Sequence, residues 1–134
     1  MIFVLDASIT AAWALPDESS ALADNLLTLA QTDGAVVPSL WWYEIRNILL
    51  VAERRKRILA ADADAFLRSL ARMAIAEQES GDGPAVLRLA RLHQLSVYDA
   101  AYLELAIREG LPLGTLDRDL ARAARQEDVV VLDI

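Results

Sequence analysis

Short apolar runs alternate with helical patterns along this chain, and that alternation constrains its fold more than any other feature. Four such runs, each bounded by turn or cap residues, are predicted to be buried strands: IFVL (2–5), AVV (35–37), PLGTL (112–116) and VVVL (129–132). Helical spacing of apolar residues predicts helices at about 19–32, 39–57, 60–76, 84–93, 97–109 and 118–126. Strands that alternate with helices favour an α/β fold with a parallel sheet covered on both faces.

Residues with special backbone preferences mark the ends of several elements. Gly34 and Gly110 stand where helix C-caps are expected, and Pro84 stands where a first helical turn begins. The polar stretch EQESGDG (77–83) is predicted to be a loop or a frayed helix end. No repeat or long linker divides the 134 residues, so residues 1–134 are predicted to form a single domain.

Composition excludes several classes of protein. The formal net charge is −7, from 20 acidic and 13 basic residues, which argues against a nucleic-acid binder that relies on a basic surface. The absence of cysteine excludes disulfide bonds and thiolate chemistry. The N-terminus lacks a basic signal-peptide region, and no apolar run approaches the roughly 18 residues of a membrane span. A soluble, cytoplasmic protein is therefore expected.

Two aspartates directly follow predicted strands. Asp6 follows IFVL and Asp117 follows PLGTL, so both lie at the carboxyl ends of strands, where open α/β sheets hold their ligands. Helix capping is an equally good explanation for each of them alone. Asp6 or Ser8 would cap a short helix after the first strand, and Asp117 would cap the helix RDLARAAR.

Glu44 is an acid in the middle of a predicted helix. In SLWWYEIRNILLVAE it lies between Ile48 and Val51 on the apolar face, beyond the capping positions of the first turn. Asn47 lies on the same edge of the helix and is a candidate hydrogen-bond partner for Glu44. A buried ion pair with an arginine is the structural alternative.

Asp99 faces the apolar side of the predicted helix SVYDAAYLELA (96–106). At 100° per residue it falls in an apolar stripe that includes Tyr102 and Leu103. A carboxylate that faces a core is costly unless it is paired, hydrogen-bonded or bound to a cation. Capping is the alternative, because Ser96 followed three residues later by an acid is close to a capping box.

Together these four acids suggest one negatively charged pocket. Carboxylates in a shared pocket repel one another unless a cation lies among them. With no cysteine and one histidine in the chain, the ligands would be oxygens, which favour Mg²⁺ or Mn²⁺ over zinc. Such sites activate water for in-line attack on phosphate, so metal-dependent phosphodiester hydrolysis is the predicted reaction class.

The scarcity of lysine and histidine excludes three other mechanisms. A haloacid-dehalogenase-like phosphatase needs a second aspartate two residues after the first, where this chain has Ser8, and it also needs a lysine. A receiver domain needs a lysine too, and Lys56, the single lysine, has neither context. A metal-free ribonuclease that uses histidines as acid and base fails because His93 is alone.

Five stretches of the chain resemble a known family. They are DAS (6–8), WALPDE (13–18), PSLWWYEIRN (38–47), SVYDAAYLELA (96–106) and TLDRDLARAA (115–124). In this order, and over nearly the whole chain, they resemble the PIN-domain ribonucleases, and more narrowly the VapC-type toxins of bacterial type II toxin–antitoxin pairs. The resemblance implies a three-layer α/β/α sandwich with a short, mainly parallel central sheet.

The resemblance also implies a site, a cofactor and partners. The implied site consists of an acidic quartet and its polar support: Asp6, Glu44, Asp99 and Asp117, with Ser8 and Thr115. Asp6 and Asp99 would be ligands of Mg²⁺ or Mn²⁺, and the other two acids would bind it directly or through water. The implied partners are an RNA substrate, a cognate antitoxin protein and a second copy of the chain in a homodimer. A catalytically silent domain that uses this fold to bind a protein or RNA is the alternative.

Two further groups of residues have both a functional and a structural interpretation. The run ERRKR (53–57) would either contact RNA phosphates or form a solvated helix end that complements the helix dipole. Its basic residues are Arg54, Arg55, Lys56 and Arg57. Trp41 and Trp42 lie on an inward-facing arc, which predicts core or interface positions instead of base stacking.

Overall fold

A parallel four-stranded sheet forms the centre of the fold. The computed structural model describes residues 1–79 and 81–133. The strands are β1 (Phe3–Leu5), β2 (Ala35–Pro38), β3 (Ile75–Gln78) and β4 (Leu113–Gly114). Their spatial order is β3-β2-β1-β4, and each pairing is parallel. β1 is fully buried because it lies between two other strands and beneath helices.

Helices cover both faces of this sheet. In the part of the chain that the structure describes they are α1 (Ala7–Ala14), α2 (Ala21–Asp33), α3 (Leu40–Arg54), α4 (Ala60–Leu70), α5 (Gly83–His93), α6 (Val97–Glu109) and α7 (Arg118–Gln126). α1 contacts α2 and α3, α3 contacts α4, and α6 contacts α5 and α7. With the right-handed crossovers that join parallel strands as a rule, the strand order places α1 to α4 on one face and α5 and α6 on the other. The predicted three-layer α/β/α sandwich is confirmed.

Most helix ends follow local signals in the sequence. Ser20 caps α2 by accepting a hydrogen bond from the backbone N–H of Ala23 at 3.0 Å. Gly34 and Gly110 have positive φ angles of 86° and 64° and end α2 and α6, as predicted. Pro84 lies in the first turn of α5, also as predicted.

The structure corrects the predictions for the two outer strands. The helix expected at 60–76 ends at Leu70, and β3 replaces its last residues and the start of the loop expected at 77–83. Ser80, within that expected loop, lies outside the described residues. β3 is an edge strand with exposed or partly buried side chains, so it lacks the apolar run that identifies the central strands. The strand expected at 129–132 is reduced to one bridge, between Val131 and Leu113.

A buried hydrogen bond joins α3 to α1. The indole N–H of Trp41 donates to the Thr10 hydroxyl at 3.0 Å, and both side chains are buried. Trp41 lies one helical turn before Glu44, so this contact also fixes the position of Glu44. The core position predicted for Trp41 is confirmed. Trp42 is 42% exposed, so a core position is wrong for Trp42, and an interface position for it stays a prediction.

None of the described helices is long and apolar enough to cross a membrane.

We predict that Thr10→Val destabilises the protein by about 1–3 kcal/mol, because it leaves the buried indole N–H of Trp41 without an acceptor while the side chain keeps its size. Urea denaturation measures the free energy of unfolding. Thr28→Val is the matched control, because Thr28 is exposed and its hydroxyl bonds only within α2. An equal effect of the two substitutions would contradict a stabilising role for the Trp41 bond.

Candidate metal centre

The structure brings the four predicted acids to one edge of the sheet. Asp6 directly follows β1, and Asp117 lies three residues after β4. Because β1 and β4 are parallel neighbours, their carboxyl ends meet at this edge. Asp99 lies in the first turn of α6, and Glu44 lies in the second turn of α3. Both helices begin at this same edge.

Asp6 is held by two hydroxyl groups. Its side chain is 95% buried, and Oδ2 accepts hydrogen bonds from Thr115 Oγ1 at 2.6 Å and from Ser8 Oγ at 2.7 Å. The backbone N–H groups of Leu116 and Asp117 donate to these same hydroxyls, at 2.9 Å each. The loop after β4 is thereby tied to the start of α1, and the Asp6 carboxylate has a fixed orientation.

Glu44 accepts its hydrogen bond from a residue that sequence reasoning placed in the core. Tyr102 OH donates to Glu44 Oε1 at 2.5 Å. Asn47, the expected donor, is exposed, and within the described part of the chain neither its side chain nor an arginine bonds Glu44. A signal for Tyr102 was present, because a phenol hydroxyl in an apolar stripe needs a buried partner and Glu44 needed a donor.

The remaining two acids belong to helix caps as well as to the site. Ser96 Oγ accepts from the backbone N–H of Asp99 at 3.1 Å, so the predicted cap of α6 is present. Asp117 Oδ1 accepts from the backbone N–H groups of Asp119 and Leu120, at 2.9 and 3.2 Å. Capping explains the hydrogen bonds at the starts of α6 and α7. It does not explain why all four acids converge at one edge of the sheet.

Burial and mutual repulsion raise the pKa values of three of these carboxyl groups. Desolvation is the largest cause of the raised pKa for Asp6, Glu44 and Asp99. The negative charge of neighbouring acids adds to each shift: Asp117 acts on Asp6, while Asp6 acts on the other two. Among the described residues, no basic side chain is among the groups that shift these pKa values. Within residues 1–79 and 81–133, no basic side chain therefore offsets the effect of burial and repulsion on these three pKa values.

The donor set fits a hard divalent cation. All four side chains offer carboxylate oxygens, and the uncompensated charge favours a cation. Within residues 1–79 and 81–133, however, no three acids or histidines are close enough to enclose a metal ion by themselves. Mg²⁺ keeps several of its waters and is commonly held by one or two carboxylates, so an arrangement of this kind remains compatible with it.

The basic run 53–57 lies at the other end of α3. Arg57 binds the carboxylates of Asp17 and Glu18, at 2.8 and 2.6 Å, and these acids raise the pKa of Arg57. This supports the structural interpretation for Arg57. Arg54 to Lys56 are exposed at the helix end.

Comparison with known proteins agrees with the fold. The family model described as PIN domain matches residues 3–126. Ribonuclease VapC3 from Pyrobaculum aerophilum is 35% identical over 124 residues, which cover 90% of this chain and 93% of that protein. The crystal structure of PAE2754 from Pyrobaculum aerophilum superimposes with a TM-score of 0.74 and 28% identity, and the match covers 93% of this chain and 81% of that one.

We predict that Asp99→Asn leaves the metal-free protein as stable as wild type, or makes it more stable, because it removes one of several like charges. It should also reduce the stabilisation that Mn²⁺ gives by binding the folded state, since one carboxylate near the ion is lost. Thermal melts with EDTA and with Mn²⁺ measure both effects.

Ser96→Ala is the control for this experiment, because it removes the cap of α6 and keeps the charge of Asp99. It should lower stability by about 0.5–2 kcal/mol with and without Mn²⁺. If Asp99→Asn instead melts lower than wild type in EDTA and gains as much from Mn²⁺, Asp99 is a cap only.

Proposed function

The chain belongs to the PIN-domain family, and from this premise we propose that it is an Mg²⁺- or Mn²⁺-dependent endoribonuclease. The observation that carries the proposal is the convergence of Asp6, Glu44, Asp99 and Asp117 at one sheet edge, with raised pKa values for three of them and no compensating basic group in the described residues. The ribonuclease named VapC3, which is similar over nearly all of both chains, supports RNA as the substrate.

In this proposal the carboxylates of this chain bind the metal ion, and other side chains fix the orientation of these carboxylates. Asp6 and Asp99 bind the ion, and Glu44 and Asp117 bind it directly or through water. Ser8 and Thr115 fix the Asp6 carboxylate, and Tyr102 fixes Glu44. When bound, Mg²⁺ or Mn²⁺ supplies an activated water and stabilises the leaving oxygen of the phosphodiester.

We further propose that the protein is the toxin of a toxin–antitoxin pair. The support is the similarity to a VapC ribonuclease together with an acidic edge at which, among the described residues, no basic group lowers the raised pKa values. An inhibitory segment with an arginine or lysine would supply that charge and block the site. Exposed apolar side chains would offer such a partner surface to cover. The same similarity makes a homodimer the expected state of the toxin alone.

We predict that cleavage of single-stranded RNA requires Mg²⁺ or Mn²⁺ and stops with EDTA. Asp6→Asn should lower kcat/KM by at least about 100-fold, because it removes the charge of the most buried acid at the site. Asp64→Asn is the matched control, since Asp64 is an exposed acid on α4 and should leave the rate unchanged. Gel-resolved cleavage of a labelled RNA provides the rates.

Three results would decide against this chemistry. Cleavage that survives EDTA, or products that end in 2′,3′-cyclic phosphate, would exclude hydrolysis by a metal-activated water. Binding of RNA or of a protein partner without any cleavage, in wild type and Asp6→Asn alike, would identify the silent binding domain instead.

We predict that a partner encoded beside this chain forms a tight complex with it and abolishes RNA cleavage at saturation. Replacing the partner's basic residue nearest the acidic edge with alanine should restore cleavage while most of the binding surface is kept. Titration of RNA cleavage with purified partner measures inhibition. Unchanged cleavage at saturation would rule out inhibition through this site.

A further inference from the structure

An apolar groove lies between the first turns of α3, α5 and α6, apart from the candidate metal centre. It encloses about 610 Å³, and Leu40, Val86, Leu87, Val97 and Tyr98 supply much of its apolar lining. Leu87, Val97 and Tyr98 are 43%, 49% and 64% exposed. Exposed apolar side chains that share one concave surface indicate a place where another molecule binds.

A buried acid holds one wall of this groove in place. Glu104 is 5% exposed, and its carboxylate accepts hydrogen bonds from the backbone N–H of Asp82 at 3.1 Å and from Arg108 Nε at 2.9 Å. Arg108 also donates to the backbone carbonyl oxygen of Glu79 at 3.4 Å. A Cβ atom at Gly81 would overlap Glu104 Oε1, so this position requires glycine. Glu79, Gly81 and Asp82 are thereby fixed to α6, and the groove has a defined shape.

The charges at the groove are balanced, although the chain as a whole carries a net charge of −7. Glu104 and Arg108 line the groove and form an ion pair. Glu79 lines it as well and is exposed, and exposed Arg91 lies one helical turn after Leu87 on the same side of α5. Within the described part of the chain, neither Glu79 nor Arg91 has an ion-pair partner.

This face has the features that a two-fold contact between identical chains requires. In such a contact the same surface lies on both sides, so the surface must be complementary to itself. The groove is concave and apolar, and the exposed ring of Tyr98 at its wall is an apolar group that could fill the groove of a second copy. Glu79 and Arg91 provide opposite charges on different elements of one face. Because two chains of net charge −7 repel each other, a face with balanced charge is where they can meet at the lowest cost.

We propose that two copies of this chain associate through this groove, with Tyr98 of each copy packed in the groove of the other and Glu79 of each copy paired with Arg91 of the other. This inference rests on the proposed function for the expectation of a homodimer, and it adds the surface that forms the dimer. A partner surface of a single charge would pair with only one of Glu79 and Arg91 and repel the other, which favours an identical chain as the occupant.

Light scattering after size-exclusion chromatography measures the mass of the full chain, and analytical ultracentrifugation measures the Kd of the dimer. Wild type should be a dimer at micromolar concentration. Leu87→Glu should raise the Kd at least about 100-fold, because it buries a charge without a partner, and Tyr98→Ala should raise it at least about 10-fold. Leu92→Glu is the matched control. Leu92 is 62% exposed, and it points about 140° away from Leu87 on α5, so this substitution should leave the Kd unchanged.

An exchange of charges tests the two-fold arrangement itself. Glu79→Arg and Arg91→Glu should each raise the Kd of the dimer roughly 5- to 50-fold, because each substitution places like charges opposite one another. The double variant, with both substitutions, should restore a Kd close to that of wild type, which a general loss of folding would not allow. Circular dichroism of all variants separates loss of association from loss of the fold.

Four results would overturn one proposal or the other. A monomeric wild type at micromolar concentration would refute both this face and the expected homodimer. A dimer whose Kd is the same in Leu87→Glu as in Leu92→Glu would place the contact elsewhere on the chain and refute this face alone. Weaker binding of the protein partner by Leu87→Glu, with an unchanged dimer, would assign the groove to that partner instead. A dimer that depends on the groove but cleaves no RNA with Mn²⁺ would refute only the ribonuclease proposal.

Discussion

Burial of carboxylates at one sheet edge, with their mutual repulsion added to it, is the constraint on which the rest of this structure depends. Asp6, Glu44 and Asp99 each raise the free energy of the fold when they ionise, because their pKa values lie above the ordinary ones. This cost is absent below the ordinary pKa values, near 3.8 to 4.5, grows as pH rises from these values to the raised ones, and is constant above them. Near neutral pH the surrounding scaffold must therefore hold the acids in place against a force that separates them.

The scaffold does so with buried contacts on either side of the acids. β1 is fully buried and carries Asp6 at its end, so moving this carboxylate away would disturb the centre of the sheet. Hydroxyls of Ser8 and Thr115 stabilise its ionised form and partly offset the effect of burial on its pKa. On α3, the bond from Trp41 to Thr10 and the bond from Tyr102 to Glu44 hold the helix from opposite sides of the sheet edge.

Sequence patterns predicted those parts of the molecule that depend on local chemistry. The bounds of α6 and α7, the caps at Ser96 and Gly110, and the acids after central strands all follow from short-range preferences. β3 was missed because an edge strand with exposed side chains needs no apolar run, and its pairing to β2 is a long-range contact. A core position was wrong for Trp42 because the buried face of α3 is narrower than the apolar face that its sequence indicates.

The pairing of Tyr102 with Glu44 was missed for a different reason. Each partner was recognisable alone, Glu44 as an inward acid and Tyr102 as a core residue, but their pairing joins helices from opposite layers of the sandwich. Helical periodicity assigns a residue to a face and does not say which residue it meets there. Only the crossover that returns the chain from β3 to β4 brings α6 beside α3 at this edge.

The first two turns of α6 show how a single stretch serves packing and charge together. Ser96 caps the helix, Tyr98 is exposed, Asp99 is half-buried beside the other acids, and Tyr102 is fully buried. A helix that begins at the edge of a sheet passes from solvent to core within about four residues, because its axis runs back over the sheet from that edge. Tyr98 and Tyr102 lie on one side of the helix, four residues apart, and differ in burial because of this change in depth. The capping and the functional interpretations of Asp99 describe its backbone and its carboxylate respectively, so they are compatible.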